Sequence, residues 1–177
     1  MEHGRVRHPA ALPDEELWEQ CDVEFSRRRG PGGQHRNKVE TAVRLRHLPT
    51  GITAEAGERR SQAENRRQAL KRLRLRLALE HRVPVTPGAS LGAGPPSVTW
   101  QQAFPSGRCR IATTNPDYPA VLAEALDWLE GSQWQISAAA ERLGVSTSQL
   151  VRLLRTHPQA LVLVNRRRAQ LGLPPLR

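Results

Sequence analysis

Between Gly30 and Lys38 the chain reads Gly-Pro-Gly-Gly-Gln-His-Arg-Asn-Lys. The adjacent glycines, Gly32 and Gly33, can adopt the positive φ values that a sharp bend demands. Pro31 fixes φ just ahead of them. The run therefore reads as a Pro-kinked loop, able to push bare backbone into a crowded, negatively charged site. A basic, amide-bearing stretch, His35-Arg36-Asn37-Lys38, follows at once.

The flanks alternate. Val23 to Ser26 suggests a strand entering the loop. Thr41 to Leu48 alternates more cleanly, with Val43, Leu45 and His47 on one face. Pro49-Thr50-Gly51 is a turn, and Ile52 to Ala56 alternates again, so the two runs make a hairpin. Pro13 to Gln20 reads as a short acidic helical turn. Ser61-Gln62-Ala63-Glu64 has the form of a capping box, and it opens a long helix ending near His81, before Pro84. Ala63, Leu70, Leu73 and Leu77 form its apolar stripe, with Arg67, Lys71 and Arg74 on a basic stripe beside it.

Residues 83–107 are rich in Pro and Gly, most clearly at Ala93-Gly94-Pro95-Pro96, and read as a linker with Trp100 and Phe104 as isolated apolar anchors. The remainder reads as helical. Asp117 is placed to cap a helix to about Glu130 that offers Val121, Leu122, Ala125, Leu126 and Leu129 to a core. Ile136 to Leu143 is a second helix, and Gly144-Val145 a tight turn. Ser146-Thr147-Ser148-Gln149 caps a third helix reaching Arg155, and Pro158 opens a fourth. Ala140, Gly144 and Leu150 fall at helix-turn-helix spacing. Two readings stay open: a compact bundle, or an RNA- or ribosome-binding module using Arg152 and Arg155, with Arg166-Arg167-Arg168 as a basic tail.

Charge narrows the partner. The chain carries 27 basic and 17 acidic residues, a net +10. Phe25 to Arg82 holds 16 of the basic and 5 of the acidic ones, a local +11. Nearly all the cations are arginine, whose fork matches phosphate oxygens, so a polyanion is the expected partner. No apolar run approaches the roughly 18 residues of a membrane span. Met1 to Leu12 has no apolar signal core, so a cytoplasmic, bacterial setting is expected, with the mitochondrial matrix second. Cys21 and Cys109 stand alone and the histidines are scattered, so neither a metal site nor a cofactor is expected. There is no GxxxxGK[ST] phosphate loop.

From Arg28 to Leu77 the chain resembles the catalytic domain of class I peptide chain release factors and their ribosome-rescue relatives. The matching residues are Gly30, Gly32-Gly33-Gln34-His35, Asn37-Lys38, Ala42-Val43-Arg44, His47-Leu48-Pro49-Thr50-Gly51-Ile52, Arg60-Ser61-Gln62 and Asn65-Arg66. The resemblance implies a small α/β (α+β) domain with a short mixed sheet and a long C-terminal helix. Beyond it the chain departs from the small rescue relatives, which end in a short basic tail: its own pattern reads as a small all-α, helix-turn-helix-like domain, giving a layout of 1–82 (catalytic), 83–107 (linker) and 108–177 (helical). The implied reaction is ribosome-dependent hydrolysis of peptidyl-tRNA in the P site, at the large-subunit peptidyl-transferase centre. Gly32, Gly33 and Gln34 are then the catalytic residues. The Gln34 amide would stabilise developing charge, and a glutamine N-methyltransferase would be a partner. His35, Arg36, Asn37, Lys38, Arg60, Arg66, Arg67, Lys71 and Arg74 would contact RNA. Arg36 departs from the valine common in the family. Fewer than thirty residues precede the loop, so the chain looks like the codon-independent, rescue branch. The alternative is a non-catalytic RNA- or ribosome-binding protein.

Overall fold

The computed structural model describes residues 7–27, 41–85 and 96–177. The expected catalytic residues Gly32, Gly33 and Gln34, and the expected RNA contacts His35, Arg36, Asn37 and Lys38, lie outside them. The chain forms two compact units, one of Pro9–His81 and the other of Arg82–Arg177 together with the residues up to His8.

The first unit runs 3-10 turn (Pro9–Ala11), α1 (Asp14–Glu19), β1 (Cys21–Ser26), β2 (Ala42–His47), β3 (Thr53–Ala56), α2 (Gln62–Glu80). α1 carries Asp14, Glu15 and Glu16 in its first turn, where the partial positive charge of the helix end favours anions. The strands lie in the order β1-β2-β3, and both pairings are antiparallel. This corrects the expected mixed sheet. A parallel neighbour needs a crossover of a dozen or more residues, usually helical. The β2–β3 link spans only residues 48–52, and the β1–β2 link is the Gly/Pro segment, which has no helical pattern.

β2 buries Val43, Leu45 and His47 and exposes Arg44 and Arg46. α2 covers that face of the sheet with Ala69, Leu70, Leu73, Leu77 and Ala78. Each fully buried leucine contributes about 2 kcal/mol. Ser61 Oγ accepts the Glu64 N–H at 3.4 Å, as the capping box predicts. Ala63 does not join the apolar stripe. It is exposed, and burial along α2 begins with Asn65.

The second unit is helical. It contains α3 (Val98–Ala103), a 3-10 turn (Pro105–Gly107), α4 (Tyr118–Gly131), α5 (Ile136–Arg142), α6 (Thr147–Arg155) and α7 (Pro158–Gln170). α3 falls within the stretch read as linker. Trp100 holds it, stacking on Phe104 with centroids 4.3 Å apart and donating its Nε1–H to the Leu143 carbonyl at 3.0 Å. α4 is the centre, buried on nearly every side and touched by α3, α5 and α6. Asp117 does not cap it through its side chain. Its own N–H donates to Asn115 Oδ1 at 2.8 Å instead.

Gly144 turns the chain between α5 and α6 at φ +65°, and the Val145 N–H closes back on the Ala140 carbonyl at 3.0 Å. Ser146 Oγ then accepts the Gln149 N–H at 3.3 Å. Arg168 is not part of a basic tail. It is 5% exposed and donates to the Trp134 and Pro174 carbonyls at 2.6 and 2.9 Å. Gln133 and Trp134 sit at φ +51° and +59°, a conformation that L-residues adopt only at a cost, and the Arg168 bond pins that turn.

Candidate nucleic-acid interface

Ser26 pairs with Ala42 and Phe25 with Val43, so the two ends of the glycine segment are held side by side in the sheet. A second brace comes from α2. Asn65, fully buried, donates from Nδ2 to the Thr41 carbonyl at 2.7 Å and to the Arg59 carbonyl at 2.9 Å, while its Oδ1 accepts the Arg59 N–H at 3.0 Å. One amide thus fastens three backbone groups. It joins the residue where the chain leaves the glycine segment to the turn before α2. Sequence reasoning gave Asn65 no role. Its signal was an amide at the first inward position of an otherwise apolar stripe.

The expected RNA-binding side chains fall into two groups. Arg60, Arg67 and Lys71 are exposed and have no ion-pair or hydrogen-bond partner among the described residues. Arg67 and Lys71 stand one turn apart on α2, where like charges cost a few tenths of a kcal/mol. Arg66 is exposed too, with its guanidinium carbon 3.6 Å from the centroid of the Trp18 ring. Arg74 turns inward. It donates to the Ala10 carbonyl at 3.0 Å and to Asp14 at 2.6 Å, with 13% of its side chain exposed. The other exposed arginines of α2 are spent on carboxylates: Arg72 on Glu58 and Arg76 on Glu80.

His47 lies fully buried beneath this face. Its Nε2 donates 3.0 Å to Gln20 Oε1, and its Nδ1 accepts the Thr50 hydroxyl at 2.8 Å. The Ile52 N–H in turn donates to Thr50 Oγ1 at 3.3 Å. Burial, then the nearby His81, lowers the pKa of His47, so the ring is a neutral strut of the hairpin. The Cys21 thiol donates to the Leu17 carbonyl, and burial pushes its pKa up to about 11, which makes it a poor nucleophile. Among the described residues no group of three His, Cys, Asp or Glu could hold a metal ion, and no helix is long and apolar enough to cross a membrane.

Residues 15–86 match the family model described as the RF-1 domain. The chain is 37% identical over 117 residues to peptide chain release factor 1 of Leptospira biflexa, covering 60% of this chain and 33% of that protein. It is 48% identical over 66 residues to the chloroplastic peptide chain release factor PrfB1 of Arabidopsis thaliana, which is 37% of this chain and 14% of that one. It is 49% identical over 59 residues to the mitochondrial peptide chain release factor 1-like protein of Mus musculus, with 33% and 16% covered. The chain thus spans a third or less of the length of these relatives. Over residues 15–86 the chain matches the RF-1 domain family, that of the class I release factor catalytic domain.

Proposed function

We propose that this chain hydrolyses peptidyl-tRNA on the ribosome without reading a codon, and so rescues stalled ribosomes. What carries the reading is the setting of Gly32-Gly33-Gln34. In an RF-1 domain, this run is strung between strand ends paired at Ser26 and Ala42 and braced by Asn65. An ester attacked by water needs no side-chain nucleophile if charge is met where it develops. The Gln34 backbone N–H supplies that donor, and the two glycines let the backbone approach. The Gln34 side chain shapes the pocket for water. His35, Arg36, Asn37 and Lys38, with Arg60, Arg67 and Lys71, hold the domain against ribosomal RNA, while Arg74 serves the fold.

The test is peptide release from ribosomes stalled on mRNA lacking a stop codon, compared with ribosomes halted at one. Equal release is expected. Gly33→Ala or Gln34→Pro should slow release by about 100-fold or more and leave ribosome binding intact. Binding without release by the unaltered chain would favour the non-catalytic reading. Release that requires a stop codon would overturn the rescue assignment.

A further inference from the structure

We infer that the second unit carries its own RNA-backbone docking surface, formed by Arg152 and Arg155 of α6 with Arg108 and Arg110 of the segment beside it. Gln149, in the first turn of α6, accepts the Cys109 N–H at 2.9 Å. That bond holds Cys109, with Arg108 and Arg110 on either side of it, to the first turn of α6. The placement has a second sign: burial raises the pKa of the Cys109 thiol, and Arg152 lies near enough to pull the other way. Arg152 and Arg155 are three residues apart and share a helix face.

All four are exposed, and none of their guanidinium groups has a hydrogen-bond or carboxylate partner among the described residues. The contrast lies within the same molecule. In the first unit Arg44, Arg72, Arg74 and Arg76 are each paired with an acid, and the side chains without one include Arg60, Arg67 and Lys71, the expected RNA contacts. In the second unit Glu124 accepts Ser97, and Asp127 accepts Val83 and faces Arg82 at 3.6 Å, while the exposed Asp117, Glu130 and Glu141 form no ion pair with any of the four arginines. From Ile136 to Gln170 there are six arginines and one acid. Complementing helix C-termini explains one cation per end. It does not explain Arg108 and Arg110, which lie on no helix.

The chemistry points to phosphate. Guanidinium forks bind phosphodiester oxygens in pairs. An acidic peptide would want apolar anchors, but the exposed large hydrophobics of this unit are Val98, Val162 and Leu171, none of them on α6. Base reading relies on amides and forks aimed into a groove. Gln149 is already spent on Cys109, which leaves the hydroxyls of Thr147 and Ser148 at the start of α6. Recognition is therefore of backbone and shape. The choice of RNA over DNA rests on the ribosomal reading of the first unit.

The experiment is fluorescence anisotropy of the full chain with a labelled RNA stem-loop, against a DNA duplex of the same sequence, across a salt series. Arg152→Ala/Arg155→Ala should weaken RNA binding by about tenfold and cut the salt slope by about one per arginine removed. Arg108→Ala/Arg110→Ala should do the same, and changing the stem sequence should not matter. Arg76→Ala, which removes a paired arginine, is the charge control and should change nothing. Arg152→Lys/Arg155→Lys should keep the salt slope, which guards against a folding artefact. Unchanged affinity in the alanine pairs, or DNA bound as tightly as RNA, overturns the proposal. Because the stem-loop assay contains no ribosome, a failure of peptide release leaves this result readable on its own.

Discussion

Asn65 Nδ2 donates to the Thr41 carbonyl at 2.7 Å across 24 positions of sequence, tying α2 to the point where the glycine segment rejoins the sheet. Replacing the fully buried Asn65 by Ala removes the partner of two carbonyls and one N–H, those of half-buried Thr41 and exposed Arg59. Each orphaned group costs about 1 kcal/mol, so a loss of about 3 kcal/mol is expected by urea denaturation. Asn65→Asp should be worse than alanine, since it aims a carboxylate oxygen at the Thr41 and Arg59 carbonyls. The order Asn, Ala, Asp is the check; a milder aspartate variant would refute the bonding pattern.

Arg66 and Arg67 adjoin on α2 but do different work. Arg66 stacks on Trp18 at 3.6 Å, a contact worth about 1 kcal/mol. The Arg67 guanidinium has no ion-pair or hydrogen-bond partner among the described residues. Arg66→Ala should therefore lower the urea midpoint and shift the Trp18 emission. Arg67→Ala should leave stability within about 0.5 kcal/mol and reduce only ribosome affinity.

How much of this could be read from the sequence divides along physical lines. β2 was legible because Val43, Leu45 and His47 alternate with arginines, and alternation is a local property. The starts of α2 and α6 were legible from Ser61 and Ser146, because a cap bond spans three residues. Arg67 and Arg74 could not be told apart. They lie two turns apart on one stripe, and what separates them is Asp14, 60 residues upstream of Arg74. The same holds within Arg166-Arg167-Arg168, where the carbonyls of Trp134 and Pro174 select the third. The glycine segment declared itself by composition, but its brace, Asn65, exists only once the sheet and α2 meet.

Acid should loosen the first unit. Burial lowers the pKa of His47 below its ordinary 6.5. A histidine depressed in the folded state contributes stability that is present above the unfolded pKa and lost as pH falls below it. Amide exchange of β2 and β3 should quicken as pH drops from about 7 through 6, after correction for the intrinsic rate. His47→Gln, which cannot titrate, should flatten that dependence. A pH-independent β2–β3 hairpin in the unaltered chain would contradict the neutral-strut assignment.

The second unit should respond in the opposite sense. Asp127 is 4% exposed on α4, and burial pushes its pKa from 3.8 up to about 7, against the pull of the Val83 N–H and Arg82. A carboxyl raised in the folded state binds protons more tightly there than when unfolded. Its contribution is therefore full below pH 3.8 and lost as pH rises through about 7. Exchange of α4 amides, corrected in the same way, should slow on moving from pH 8 to pH 6. Asp127→Asn should hold the slow rate at both. If α4 opens faster at the lower pH, the group is ionised throughout and this assignment fails.

Gly131 and Gly144 should fail for different reasons when substituted. A Cβ at Gly131 would sit 2.3 Å from Val85 Cγ2 and 3.1 Å from the Val85 carbonyl oxygen, so the cost is steric and grows with size. A Cβ at Gly144 would meet nothing within 4 Å, but φ is +65° there, so the cost is backbone strain of about 1 kcal/mol. Asparagine tolerates that region better than alanine does. The expected order of stability is therefore Gly, Asn, Ala at position 144 and Gly, Ala, Asn at position 131, measured as urea midpoints of the full chain. The inversion between the sites is the discriminating result. If asparagine ranked below alanine at both, the α5–α6 turn would be limited by space and not by the left-handed backbone that sets α6 at its angle to α5.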